Sequence, residues 1–271
     1  KGSIFTYDLL ENKQNLHPNP ARGSRPLNLA IYENFVYFGE YFNNVKRDSV
    51  HIYRFSLSDL SISRVYTFPK GSIRHIHGIF YNTTLSNFTV LCGDYGNEAR
   101  ICSFEVSFSQ ASIILQGTQQ ARAVDIIIES NRYIIATDTQ LEQNYIYNID
   151  KNGVSVAEPY PINGPCFDLV SFGNFYLATS VIEKSKVNLD DFLSLYGSLD
   201  GENWVILKKF KKDFFPKAAH KYFQFSRLAI VKPETETSMV YLYARGLKSL
   251  NYRTIAYSRN EMIRLIEQKL E

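Results

Sequence analysis

No stretch of this sequence approaches the ~18 consecutive apolar residues that a membrane-crossing helix needs, so the chain is read as soluble, with no transmembrane segment. Cysteine is scarce. The three present, Cys92, Cys102 and Cys166, form no CxxC pair, which argues against a zinc ribbon or a redox motif, and their odd number argues against a disulfide-built module. Charge of one sign is also missing: the net charge is +3 and the basic residues are scattered, so nucleic acid is not an expected partner. The one dense basic run, Lys208-Lys209-Phe210-Lys211-Lys212, reads as a solvated outer strand or loop. The chain starts at Lys1 with neither a methionine nor an apolar leader, which fits a processed or trimmed start and leaves the compartment open.

Aromatic residues, by contrast, are abundant. The 19 Tyr and 19 Phe fall with Ile, Val and Thr in short runs bounded by polar turns, the pattern of strands rather than helices. The clearest case is Arg74-His75-Ile76-His77-Gly78-Ile79-Phe80-Tyr81 followed by Asn87-Phe88-Thr89-Val90-Leu91-Cys92-Gly93-Asp94-Tyr95: strand, turn, strand, acid. The plan recurs in units starting near 27, 75, 122, 166 and 222, spaced 44 to 56 residues apart. Four strands per repeat at a period of about 40–50 residues is the signature of a β-propeller. The expected fold is therefore all-β: a single propeller domain over 1–271, with five blades of four antiparallel strands. The isolated strand Ser3-Ile4-Phe5-Thr6-Tyr7 is expected to complete the last blade and close the ring, and Asn260 to cap a short C-terminal helix with i, i+3, i+4 apolar spacing. The rival architecture is a pair of stacked β-sandwiches.

Between the third and fourth strands of the fourth unit lies Ser198-Leu199-Asp200-Gly201-Glu202-Asn203-Trp204. It resembles the Asp-box of sialidase-like, BNR-repeat propellers, usually Ser-x-Asp-x-Gly-x-x-Trp, with the residue between Asp and Gly missing. In that family the box is structural: Asp and Gly make a tight turn while Trp packs between strands. The resemblance implies a carbohydrate-active protein; the arginine triad of true sialidases has no position-by-position match here.

In a propeller blade the start of the innermost strand and the end of the second open on one face, so such residues from all blades would line one funnel. The strand starts supply Arg25, Arg74, His75, His77, Arg122, Asp125, Asp168 and Gln224; the second-strand ends supply Glu40, Tyr41, Asp94, Tyr95, Asp138, Glu183 and Arg245. Glu40, Asp94 and Asp138 are expected at equivalent places in three blades; for Asp125 the alternative to a binding role is a simple pair with Arg122. Acids, arginines and histidines gathered in a concave site are the setting for perturbed pKa values and ligand hydrogen bonds.

Three functions fit such a ring. Hydrolysis of a glycosidic bond in an anionic poly- or oligosaccharide needs two carboxylates, for which Glu40, Asp94 and Glu183 are candidates, with His75 or His77 tuning one. Elimination at a uronic acid needs a cation on the sugar carboxylate and a His or Tyr for the C5 proton, which Arg74, Arg122, His75 and Tyr95 would supply. The third is a non-catalytic propeller that binds glycan or protein. In the hydrolase reading Arg25, Tyr41, Arg74, Tyr95, Arg122, Asp125, Asp138, Gln224 and Arg245 bind substrate. No cofactor is required; a divalent metal at His75 and His77, with Glu40 or Asp94 as third ligand, is the one metal option the sequence offers.

Overall fold

The structure is a computed structural model describing residues 3–23, 25–213, 226–233 and 237–271, in two compact units, Lys1–Arg122 and Ala123–Glu271. Gln224 lies outside the described residues, as does the start of the fifth sequence unit at Tyr222. In the first unit the strands are β1 (Ile4–Asp8), β2 (Lys13–His17), β3 (Ala30–Tyr32), β4 (Phe35–Gly39), β5 (Val50–Ser56), β6 (Ile62–Phe68), β7 (Ile76–Asn82), β8 (Asn87–Cys92), β9 (Arg100–Glu105) and β10 (Ala111–Gln116). They form a hairpin, β1-β2, and two four-stranded antiparallel meanders, β3-β4-β5-β6 and β7-β8-β9-β10. The second unit contains β11 (Ala123–Ile128), β12 (Tyr133–Thr137), β13 (Asn144–Ile149), β14 (Tyr160–Ile162), β15 (Cys166–Ser171), β16 (Tyr176–Ser180), β17 (Phe192–Ser198), β18 (Trp204–Lys211), β19 (Arg227–Ile230), β20 (Met239–Arg245), β21 (Thr254–Ser258) and the helix α1 (Arg259–Leu270). These pair as β11-β12-β13-β14, β15-β16-β17-β18 and β19-β20-β21. The described residues thus form six antiparallel sheets and one C-terminal helix, an all-β architecture. Among the described residues no helix is long and apolar enough to cross a membrane.

Three local expectations are corrected. The strand near Ile4 has a partner of its own: Ile4 pairs with His17 and Asp8 with Lys13 in a two-stranded hairpin. The outer strand of the third unit is Tyr160–Ile162 and not Val154 to Ala157; Val154 and Val156 are exposed, and Ser155 forms an isolated bridge to Ile149. The helix is capped by Ser258, whose hydroxyl accepts from the Glu261 N–H while Glu261 reaches back to the Ser258 N–H, a reciprocal pair that outcompetes Asn260. Met262 and Ile266 then bury fully against the core of the second unit.

What positions chemistry in the first unit is an aromatic core. Tyr37, Phe88 and Phe108 pack with ring centroids 4.5 to 5.6 Å apart, joining the sheet of β3–β6 to that of β7–β10. Each such pair contributes about 0.5–1.5 kcal/mol beyond area burial. Ile76 at the head of β7 is 2% exposed in this core, which anchors the two histidines flanking it.

The Ser198–Trp204 turn folds as its residue types require. Ser198 Oγ accepts from the Gly201 N–H at 2.8 Å, Asp200 Oδ1 accepts from the Glu202 and Asn203 N–H groups at 2.8 Å, and Trp204 Nε1 donates to the Gly201 carbonyl at 2.9 Å. Gly201 sits at φ +77°, where a side chain would be strained.

Candidate functional site

Three of the first strands begin with a one-residue β-bulge. In β7 the register slips between Ile76, opposite Cys92, and Gly78, opposite Leu91, leaving His77 as the extra residue. β11 slips between Ala123 and Ile126 and β15 between Cys166 and Asp168. Across the hairpin of β7 and β8 the chain leaves through Gly93, whose N–H donates to the His75 carbonyl at 2.9 Å. Gly93 has φ +71°, and a Cβ there would fall 1.8 Å from the Glu98 carbonyl oxygen. That turn directs Asp94 back over the bulge.

The result is a buried triangle. His75 Nε2 and His77 Nε2 lie 3.0 Å apart, and they lie 3.3 and 3.2 Å respectively from Asp94 Oδ1. All three residues are at most 5% exposed. His75 Nδ1 stands 3.1 Å from the Phe42 carbonyl, which can only accept, so Nδ1 is the donor of that pair. The far oxygen of Asp94 is held by Arg74 Nη1 at 2.6 Å, and Arg74 Nη2 donates to Asn43 at 2.8 Å. Arg122 Nη2 stands 3.7 Å from Asp94 Oδ1 while its guanidinium lies 5.4 Å from the centre of the Tyr95 ring. Burial pushes the Asp94 carboxyl up, but the hydrogen bonds from His75 and His77 outweigh it and hold the group below the usual carboxylate range.

Beside the triangle an open cavity of about 380 Å³ is lined by Gly23, Tyr41, Phe42, Asn43, Arg74 and His75. The Tyr41 ring packs against His75 with centroids 4.4 Å apart. His75, His77 and Asp94 together could hold a metal ion.

Of the residues singled out in the sequence, His75, His77, Asp94, Arg74, Arg122, Tyr41 and Tyr95 are brought together. Glu40 is elsewhere. It is 1% exposed, and its two oxygens accept from the Arg22 N–H (2.8 Å), Arg22 Nε (3.0 Å), Arg22 Nη2 (2.6 Å) and the His51 N–H (3.0 Å). With every lone pair engaged, this carboxylate is an internal anchor, neither a general acid nor a third metal ligand. Arg25 is exposed, and among the described residues no bond joins it to the triangle.

The supposed equivalence of acids fails by register. Cys92, Thr137 and Ser180 face Ile76, Ala123 and Cys166 in their sheets. Two residues on from each come Asp94, Thr139 and Ile182, so Asp138 corresponds to Gly93 and Glu183 to Tyr95. A slip of one residue turns a side chain to the other side. In the second unit Asp138 is buried and Glu183 accepts from Gln140 Nε2 at 2.8 Å. Asp125 pairs with Lys232 Nζ at 2.5 Å and not with Arg122, and also accepts the Leu169 N–H at 2.9 Å; burial nonetheless pushes its carboxyl up. Arg245 is exposed at the end of β20, opposite Arg227.

Sequence reasoning missed the parts that act through backbone. The Phe42 carbonyl holds the His75 ring through Nδ1, and Gln119 Nε2 fixes the turn by donating to the Asp94 carbonyl at 3.0 Å. A carbonyl leaves no trace in residue type, and Gln119 sits in a short 3₁₀ turn between units that carries no motif.

No known protein family matches this sequence, and no curated protein matches it. Solved structures do. A chain of the mitotic checkpoint complex superposes with a TM-score of 0.59 at 11% identity, over 93% of this chain and 68% of that one. Dihydro-heme d1 dehydrogenase NirN in complex with DHE gives 0.57 at 12%, covering 96% of this chain and 51% of that chain. Oligogalacturonate lyase in complex with manganese gives 0.60 at 8%, covering 94% and 70%. Identities this low speak to fold alone. The fold is of the β-propeller type.

Proposed function

We propose that this protein acts on an anionic polysaccharide and cleaves it by β-elimination at a uronic acid. The observation that carries the reading is the charge pattern beside the cavity: two arginines and two histidines surround one carboxylate, Asp94, while Glu40 is consumed by Arg22. Hydrolysis needs two carboxylates facing each other across the scissile bond, and the first unit assembles no such pair among the described residues. Elimination needs positive charge to neutralise the sugar carboxylate, so that the C5 proton becomes acidic, and a base to take it. Arg74, on the cavity wall, supplies the first of these cations, and the triangle of His75, His77 and Asp94 is where a divalent metal would supply a second. Tyr41, on the same wall, would take the C5 proton as its phenolate and pass it to the departing glycosidic oxygen as the C4–O bond breaks and the C4–C5 double bond forms. That a structure of the same fold belongs to oligogalacturonate lyase with manganese supports the substrate class. The reading counts the five larger sheets as five blades, and takes the Ser198–Trp204 turn as a blade hairpin of Asp-box kind.

The test is product analysis on a panel of uronate-containing and neutral polysaccharides. Elimination gives an unsaturated product absorbing in the ultraviolet, abolished in Arg74→Gln and Tyr41→Phe. New reducing ends without that absorbance would establish the hydrolase, and saturable binding without turnover the glycan-binding module, either of which overturns the proposal.

A further inference from the structure

We infer that His75 Nε2, His77 Nε2 and Asp94 Oδ1 are three adjacent ligands of a divalent first-row transition cation whose remaining coordination positions face water or a ligand. The inference stands on the geometry of the triangle and deepens the elimination reading without depending on it. Metal–ligand bonds of about 2.1 Å place neighbouring ligand atoms about 3.0 Å apart in an octahedral site and about 3.4 Å apart in a tetrahedral one. The three separations here, 3.0, 3.2 and 3.3 Å, span that interval.

The donor types point the same way. Two imidazoles and a carboxylate with open positions form the donor set that suits Mn, Fe or Zn rather than the all-oxygen shell preferred by Ca²⁺ or Mg²⁺.

The supporting bonds are those a metal site needs. The Phe42 carbonyl fixes the ring of His75, Arg74 holds the other oxygen of Asp94, and Gln119 holds the backbone carbonyl of the same residue. Ile76, buried between the histidines, and Gly93, whose turn tolerates no side chain, keep the donors in place without a ligand.

The experiment uses the full chain, treated with a chelator, dialysed, and titrated with Mn²⁺ or Co²⁺ by calorimetry and by the visible absorption of Co²⁺. One equivalent is expected to bind, and His77→Ala and Asp94→Asn are each expected to weaken binding by at least about 100-fold. His51→Gln, a histidine outside the triangle, is expected to leave it unchanged. Absence of saturable binding below millimolar cation, or equal binding by His77→Ala and the unsubstituted chain, overturns the site. Should the variants fail to fold, pulsed electron paramagnetic resonance of the Mn²⁺-loaded natural chain decides: directly coupled imidazole nitrogens support the site and their absence refutes it. A chain that binds the cation but yields no unsaturated sugar supports the metal site and overturns the elimination reading.

Discussion

Replacing Glu40 by Gln separates a buried anchor from a catalytic acid. The carboxylate accepts four hydrogen bonds of 2.6 to 3.0 Å, two from the Arg22 side chain and two from backbone N–H groups, at 1% exposure. The amide keeps one acceptor oxygen and turns an NH₂ toward two donors. If the amide oxygen stays on the side of Oε1, Arg22 Nη2 and the His51 N–H lose their acceptor; the opposite orientation strands the other pair. A hydrogen bond to a charged group is worth about 1.5–3 kcal/mol, and breaking a buried ion pair costs about 3–5 kcal/mol. The Arg22 side chain is 35% exposed, so water recovers part of its loss. The expected cost is about 3 kcal/mol, the low end of that range. Melting should fall by about 6–12 °C, at about 2–4 °C per kcal/mol for a domain of this size. The assay pairs urea unfolding of Glu40→Gln with its cation binding and turnover at a temperature where it remains folded. Loss of activity with stability intact would refute the structural assignment, and so would a destabilisation below about 1 kcal/mol.

Two further outcomes follow from the Ser198–Trp204 turn. Gly201→Ala should lower stability by more than ~1 kcal/mol, since its φ is +77° and the new methyl would lie 2.6 Å from Ile134 Cδ1; a melting temperature equal to the natural chain's would contradict this. Burial raises the Asp200 carboxyl, but hydrogen bonds from Asn203, Glu202 and Ser198 outweigh it and bring it from 3.8 to about 2. Its stabilising contribution is therefore full above pH 3.8 and is lost as pH falls through about 2. Asp200→Asn should flatten that acid limb in a pH series of urea unfolding curves, and an unchanged limb would count against the assignment.

Strand alternation, aromatic runs and a spacing of 44 to 56 residues were enough to read antiparallel sheets and the propeller type from the sequence, because the period of two and the turn residues are local properties. The cluster of Arg74, His75, His77 and Asp94 was legible for the same reason: its parts lie within one hairpin, and the turn at Gly93 is written in residue type. Failures came where one residue of register decides orientation. Asp94 and Asp138 look alike as acids that end strands, yet pairing puts Thr139, not Asp138, in the place of Asp94.

The sequence by itself determined the strands, the repeating sheets and which hairpin carries the histidines. Only the tertiary structure decided that Glu40 belongs to Arg22, that Asp125 belongs to Lys232, and that β1 pairs with β2. Each of these depends on which group a buried charge or a free sheet edge can reach first. That is settled by packing distance, and residue type does not encode it.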